Sequence, residues 1–187
     1  MRGKSSPWGT IQDAKEVIPG LWVVYTGGHG GIKLDRKLNA AVPAEVRRRG
    51  GWYEEDCEWS LAVFSLRHLL NAGWVDQAEK TAKQWYPDEY TVLTGVLVTE
   101  EESFIVQQRA FLEKALGRYV ATAAWGDWEP SVPKGMVGVY ATVSGTREGE
   151  LARTGKYFLT TKERYDARCS NLYLVQPDDA EWLGPHN

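Results

Sequence analysis

Cysteine is scarce in this chain: Cys57 and Cys169 are the two among 187 residues. Small secreted proteins that lean on disulfides carry more of them at closer spacing, so no disulfide framework is expected. Long apolar runs are missing as well. No stretch approaches the roughly 20 residues that a membrane-spanning helix needs, and Met1-Arg2-Gly3-Lys4-Ser5-Ser6-Pro7 lacks the apolar centre of a secretory signal. The expectation is a cytoplasmic protein with no membrane segment. Charge of one sign is also in short supply. Twenty-two Lys and Arg against 25 Asp and Glu leave a formal net charge of −3. Non-specific nucleic-acid binding draws on a basic face that releases counterions, and this balance does not supply one. The short run Arg47-Arg48-Arg49 reads as a solvated helix end, where cations suit the dipole.

Complete catalytic signatures are absent too. There is no HExxH, no CxxC, no calcium-binding EF-hand loop and no GxxxxGK[ST] phosphate loop. The glycines at 27–31 do not make a dinucleotide fingerprint, because its third glycine should open a helix and the next helix is expected only near Asp35. No internal repeat or low-complexity tract occurs. The residues name no cofactor, no metal and no oligomeric state.

What is present is apolar and aromatic. Hydrophobic residues make up 43% of the chain, with nine Trp and nine Tyr, enough to bury a core. Residues 1–15 are polar and expected to be a flexible N-terminal segment, followed by a single α+β domain over 16–187. Val17-Ile18 and Leu21 to Tyr25 flank Pro19-Gly20 and predict a β-hairpin. Asp35 is placed to cap a short helix to Ala41, and Pro43 to open another to Arg49. The spacing of Trp59, Ala62, Val63, Leu66, Leu69 and Leu70 predicts an amphipathic helix over 56–71 with an acidic first turn. Further helices are predicted over 76–85, stopped by Pro87, and from the Thr99-x-x-Glu102 capping box to Gly117. The last third is β-rich: 119–125, 136–143, 156–160 and 172–176, with a polar connection at 144–155 and a short helix over 162–167. Strands at both ends and helices between them point to helices packed on a mostly antiparallel sheet.

Three places carry residue types suited to chemistry. In the first, Gly27-Gly28-His29-Gly30-Gly31, Gly28, Gly30 and Gly31 let another group approach the backbone closely around a lone His29. The second is Trp52-Tyr53-Glu54-Glu55-Asp56-Cys57-Glu58-Trp59. His29 with Glu54, Glu55 and Asp56 offers general acid/base groups or ligands for a hard divalent cation. Ordinary capping of a helix start by acids explains the same carboxylates. Cys57 reads first as a small buried hydrophobe, since the surrounding acids oppose the thiolate that a nucleophile paired with His29 would require. The third is Trp125-Gly126-Asp127-Trp128, either an aromatic platform for a base, sugar or peptide or a packed turn on the sheet edge. His68 and His186 suggest no role.

These residues carry a resemblance. Pro7-Trp8-Gly9, Gln12, Pro19-Gly20, His29-Gly30-Gly31, Leu34, Pro43 and the run from Tyr53 to Trp59 resemble an uncharacterised domain family of phages and bacterial mobile elements. Trp85-Tyr86-Pro87, Gly135-Met136-Val137 and Phe158-Leu159 extend the likeness along nearly the whole chain. The resemblance implies a phage or mobile-element accessory protein, a free-standing version of the domain, at work in the host cytoplasm. It transfers no catalytic residue. The expected function is binding of a host or phage protein, for defence evasion or host takeover, with Trp59, Trp125 and Trp128 among the aromatic residues suited to an interface. The alternative is a metal-dependent or His/carboxylate hydrolase or transferase acting on a nucleotide or nucleic acid.

Overall fold

Pro19 and Gly20 turn the chain back on itself, as their residue types require. Gly20 sits at φ +89, a conformation that penalises any residue with a Cβ, and a Cβ there would lie 2.5 Å from the Asp35 carboxylate. Strands β3 (Asp13–Ile18) and β4 (Leu21–Tyr25) pair antiparallel across this turn, with a bulge between Glu16 and Ile18. The strand β5 (Gly30–Leu34) follows, then helix α1 (Arg36–Ala41), capped by Asp35 through the Leu38 N–H at 2.7 Å. The computed structural model describes residues 1–168 and 171–185, so Cys169 and His186 lie outside the described residues. The chain divides into two compact units, 1–106 and 107–187.

In the first unit the sheet order is β3-β4-β5-β6, with β6 at Trp52–Glu54, and every pairing is antiparallel. Directly paired residues share a face. One face therefore carries Leu21, Val23 and Tyr25 with Gly30, Ile32, Leu34 and Tyr53. Its inner part packs under α2 (Trp59–Ser65), α3 (Ala72–Trp85) and α4 (Pro87–Thr94) in one core with Leu61, Val63, Leu66, Ala78, Ala82 and Tyr90. Each fully buried aliphatic side chain of this kind contributes roughly 1.5–3 kcal/mol. The opposite face carries Val24, Gly31, Lys33 and Trp52. Trp8 meets Trp52 edge-on there at 5.6 Å, near the small hairpin of β1 (Ser5–Ser6) and β2 (Gly9–Thr10). The segment 1–15 thus includes a hairpin, the buried Ile11 and the start of β3.

Several elements depart from the pattern-based expectation. The helix expected over 56–71 is only α2, followed by a tight turn at Arg67–Leu69 that leaves Leu69 45% exposed. Ser60 to Phe64 are all buried, so α2 is covered all round and its apolar spacing is not a single stripe. The acids before it stand outside the helix, Glu54 in β6 and Glu55 to Glu58 in a turn. Pro43 opens a turn at 44–46 instead of a helix. Pro87 does not stop the chain's helical run; it occupies the first turn of α4, where its missing N–H costs nothing and Asp88 and Glu89 suit the dipole. Trp85, the last residue of α3, is 43% exposed and leans on Phe104 at 5.4 Å. Thr99 and Glu102 do bond, Thr99 N–H to the Glu102 carboxylate at 3.2 Å, but α5 (Phe104–Lys114) begins after Ser103.

The second unit begins inside α5. Its sheet runs β10-β9-β8-β7, all antiparallel: β7 (Tyr119–Trp125), β8 (Met136–Val143), β9 (Lys156–Thr161) and β10 (Ala180–Trp182). The expected strand at 172–176 is reduced to isolated bridge residues at Leu172 and Leu174, the latter opposite Val120, with the Ala121 N–H donating to the Tyr173 carbonyl and the Val175 N–H to the Tyr119 carbonyl. The polar connection holds α6 (Gly149–Arg153), and α7 (Lys162–Asp166) stands where the sequence predicts a helix. Val137, Val139, Ala141, Phe158 and Tyr173 form this unit's core. The α+β class is as expected, with helices and antiparallel sheets. Among the described residues, no helix is long and apolar enough to cross a membrane.

Candidate functional site

The glycine turn and the acidic run come together because β5 pairs with both neighbours. Its pairing with β4 sets Tyr25 opposite Gly30, and its pairing with β6 sets Gly31 opposite Glu54. The β4–β5 turn is locked by Thr26, whose N–H and hydroxyl both bond the His29 carbonyl, at 2.8 and 2.7 Å. That leaves the imidazole at the turn's tip. Its Nδ1 lies 3.9 Å from Glu55 Oε1 and 4.0 Å from Glu54 Oε1. One ligand atom from each of His29, Glu54 and Glu55 falls within 4.8 Å of the others. The His29 side chain is 63% exposed, Glu54 27% and Glu55 42%, so the three form an open rim.

The glycines serve this arrangement by letting protein groups in. A Cβ on Gly30 would lie 2.5 Å from Glu55 Oε2, and one on Gly31 would lie 2.2 Å from the Tyr53 carbonyl and 2.5 Å from the Trp8 ring. Gly28 has nothing within 4 Å of that position. The close approach that the glycine run promises is therefore used at Gly30 and Gly31 by Glu55, Tyr53 and Trp8.

Asp56 and Cys57 do not join the three. The Asp56 N–H donates to Glu54 Oε2 at 2.7 Å, which orients Glu54 from behind. Cys57 lies two residues before α2 and is half-buried. Burial first, then the charges of Asp56 and Glu54, push its thiol above the ordinary range. Glu58, at the same corner, accepts from Arg48 Nε at 2.9 Å and braces the loop.

Beside the rim lies a cleft of about 450 Å³. The helices cover only part of the sheet face, and the strip left open carries Lys15, Val17, Val23 and Tyr25. The far wall is Trp59 and Trp74, stacked at 6.3 Å and 12° between planes, and Glu55 belongs to both cleft and rim. Trp74 was not among the residues that the sequence singled out. Its signal is local: Asn71 caps α3 by accepting from the Trp74 N–H at 2.9 Å, which sets the register that brings the indole to Trp59.

Trp125-Gly126-Asp127-Trp128 lies in the second unit. The Trp125 ring joins Tyr157 and Trp182, each at 5.9 Å, in an aromatic cluster across the sheet. Asp127 Oδ2 accepts from the Gly135 N–H at 3.1 Å, and Trp128 is left 74% exposed. His68 lies in the exposed turn after α2.

Residues 1–116 match the family model of a domain of unknown function, DUF7007. The match takes in the rim, the cleft and the first unit, and ends before Gly135-Met136-Val137 and Phe158-Leu159. No curated protein and no solved structure matches the chain.

Proposed function

Taking as premise that this chain belongs to the DUF7007 family, we propose that it acts by binding another protein, through the cleft between the open strip of its first sheet and the Trp59–Trp74 wall. The observation that carries this reading is the cleft itself: an apolar floor from three strands, a stacked aromatic wall, and the charged side chains of Lys15 and Glu55. Such a groove suits an extended apolar segment. Val17 at 38% and Tyr25 at 50% exposure are large apolar side chains already in contact with water, so covering them gains burial energy. The bordering strand β3 lies at the edge of its sheet and has backbone groups free on one side, a ready template for an added strand. The setting is the one that the family resemblance implies: a phage or mobile-element accessory protein that engages a host or phage protein in the host cytoplasm.

The test is affinity capture from host lysate with Val17→Asp and Tyr25→Asp variants, which alter exposed positions and leave the core intact. A partner held by the unaltered chain and by a Trp128→Ala control, but lost from both cleft variants, supports the reading. Equal capture by all four chains overturns it.

A second reading rests on the convergence of His29, Glu54 and Glu55. The set matches the needs of a divalent cation: two hard carboxylate oxygens and one imidazole nitrogen. With a cation held there, the adjoining cleft would admit a nucleotide or a nucleic-acid segment for hydrolysis or group transfer, with His29 or a carboxylate moving the proton.

A further inference from the structure

At the other end of the first sheet, where β5 runs into α1, Lys33, Arg36 and Arg47 line a pocket of about 410 Å³. We infer that this pocket binds a phosphoryl group. Two of its cations are held in place by neutral groups. The Lys33 ammonium donates to the Gly50 carbonyl and lies 4.7 Å from the centre of the Trp52 ring. Arg47 donates from Nε and Nη2 to the Val42 carbonyl, at 2.9 and 2.7 Å, and from Nη2 to the Ala40 carbonyl at 3.0 Å. Carbonyls and a ring orient a cation without cancelling its charge. The Arg36 side chain is exposed and makes no hydrogen bond or ion pair among the described residues.

Asp35 is the one acid lining the pocket, and its Oδ1 is engaged by the Leu38 N–H at the start of α1. The neighbouring Arg48 is excluded from the set because it is spent on Glu58 at 2.9 Å and Glu89 at 3.9 Å. The pocket therefore holds three cations against one acid, in a chain whose overall charge is −3.

Donor arithmetic favours an oxyanion with several acceptors. A guanidinium has five N–H donors, and the bonds of Arg47 occupy those of Nε and Nη2, which leaves the two on Nη1. An ammonium has three, and Lys33 uses one on Gly50. Arg36 adds its own fork. A phosphoryl group, with up to two negative charges and three terminal oxygens, matches this supply, whereas a single carboxylate would leave donors and charge unanswered. Burial also lowers the Lys33 pKa, with Asp35 only partly opposing it, and a bound anion would relieve that penalty. The inference does not depend on the cleft or on the His29 rim.

The experiment is calorimetric titration of the full chain with inorganic pyrophosphate at low salt. The expected result is saturable one-to-one binding that Arg36→Gln and Lys33→Met each weaken by about tenfold, the scale of one charge-assisted hydrogen bond. Arg36 is exposed and unpartnered, so its replacement leaves folding untouched and keeps the test sound should Lys33→Met loosen the structure. Lys80→Met, at an exposed position of α3 that lines neither pocket nor cleft, removes the same charge as a control and is expected to bind like the unaltered chain. A second titration with adenosine diphosphate separates the sources: tighter binding than pyrophosphate assigns a nucleoside diphosphate, equal binding a bare phosphoryl group. Absence of saturable binding to both, or a loss in Lys80→Met as large as in Arg36→Gln, overturns the inference.

Discussion

Glu55 and Gly30 are in such close approach that a Cβ on the glycine would stand 2.5 Å from the carboxylate oxygen. Twenty-five positions apart in sequence, they are neighbours because β5 pairs with β4 on one side and β6 on the other. The same strand puts His29 Nδ1 within 3.9 Å of Glu55 Oε1. The glycine pair is thus what lets an imidazole and two carboxylates share one rim.

Replacement of Gly31 tests that packing. An added methyl would meet the Tyr53 carbonyl at 2.2 Å and the Trp8 ring at 2.5 Å, and a backbone carbonyl in a strand pair cannot swing aside. Gly31→Ala is expected to destabilise the first unit by about 1–3 kcal/mol, the usual scale for forcing extra volume into a packed site. Gly28→Ala, with nothing within 4 Å, should stay within about 0.5 kcal/mol of the unaltered chain. Denaturant unfolding monitored by Trp fluorescence compares the two. Equal midpoints would show that Trp8 and Tyr53 give way.

Divalent cations test the rim. Manganese or zinc at saturating concentration is expected to raise the unfolding temperature, because a ligand that binds only the folded chain stabilises it by mass action. The increase should vanish in His29→Ala and in Glu55→Gln, and persist in Asp56→Asn, whose carboxylate is not among the three. An unchanged increase in His29→Ala would place the metal elsewhere.

Cys57 should be a slow thiol. Burial and the charges of Asp56 and Glu54 raise its pKa, so the thiolate fraction near neutral pH is small. In a Cys169→Ser background, alkylation by iodoacetamide at pH 7.5 is expected to run slower than for free cysteine. Asp56→Asn should accelerate it by removing one of the opposing charges. A rate above that of free cysteine would restore Cys57 as a nucleophile.

Tyr173 gives the second unit a high-pH weakness. Its hydroxyl bonds Asp179 Oδ2 at 2.6 Å and Thr160 Oγ1 at 2.7 Å, and burial with the Asp179 bond pushes its pKa up to about 12. The phenol is neutral in this network, so folding favours the protonated form. The stability that it contributes is fully present below the unfolded value near 10 and disappears as pH rises through about 12. Absorbance titration near 295 nm should show one tyrosine ionising later than the rest, and Tyr173→Phe should remove that late step. Ionisation of every tyrosine together near pH 10 would contradict the assignment.

Local chemistry made much of the fold legible. The Pro19-Gly20 hairpin, the Asp35 cap and the strands at 119–125 and 136–143 follow from the sequence, because turn residues, caps and β-rich runs act over a few neighbours. Where the fold departs from these local signals, longer-range packing intervenes. The spacing from Trp59 to Leu70 suits one long helix, yet the chain breaks at Leu66 and α2 is buried on every side. Pro87 marks the start of α4 and not an end to helix, as Asp88 and Glu89 after it indicate.

The candidate site divides in the same way. His29, Glu54, Glu55 and Trp59 stood out by residue type alone. Trp74, the second half of the cleft wall, did not, since an indole early in an amphipathic helix looks like any core residue.

From residue order alone came the α+β class, the lack of an apolar run long enough to span a membrane, and the two polar stretches worth attention, all consequences of composition and short-range stereochemistry. Strand pairing decided that those stretches would meet, and the folding of the chain after β5 decided that Lys33, Arg36 and Arg47 would line one pocket. Hydrogen-bonded register joins residues at any separation along the chain, and no local pattern encodes which partners it will choose.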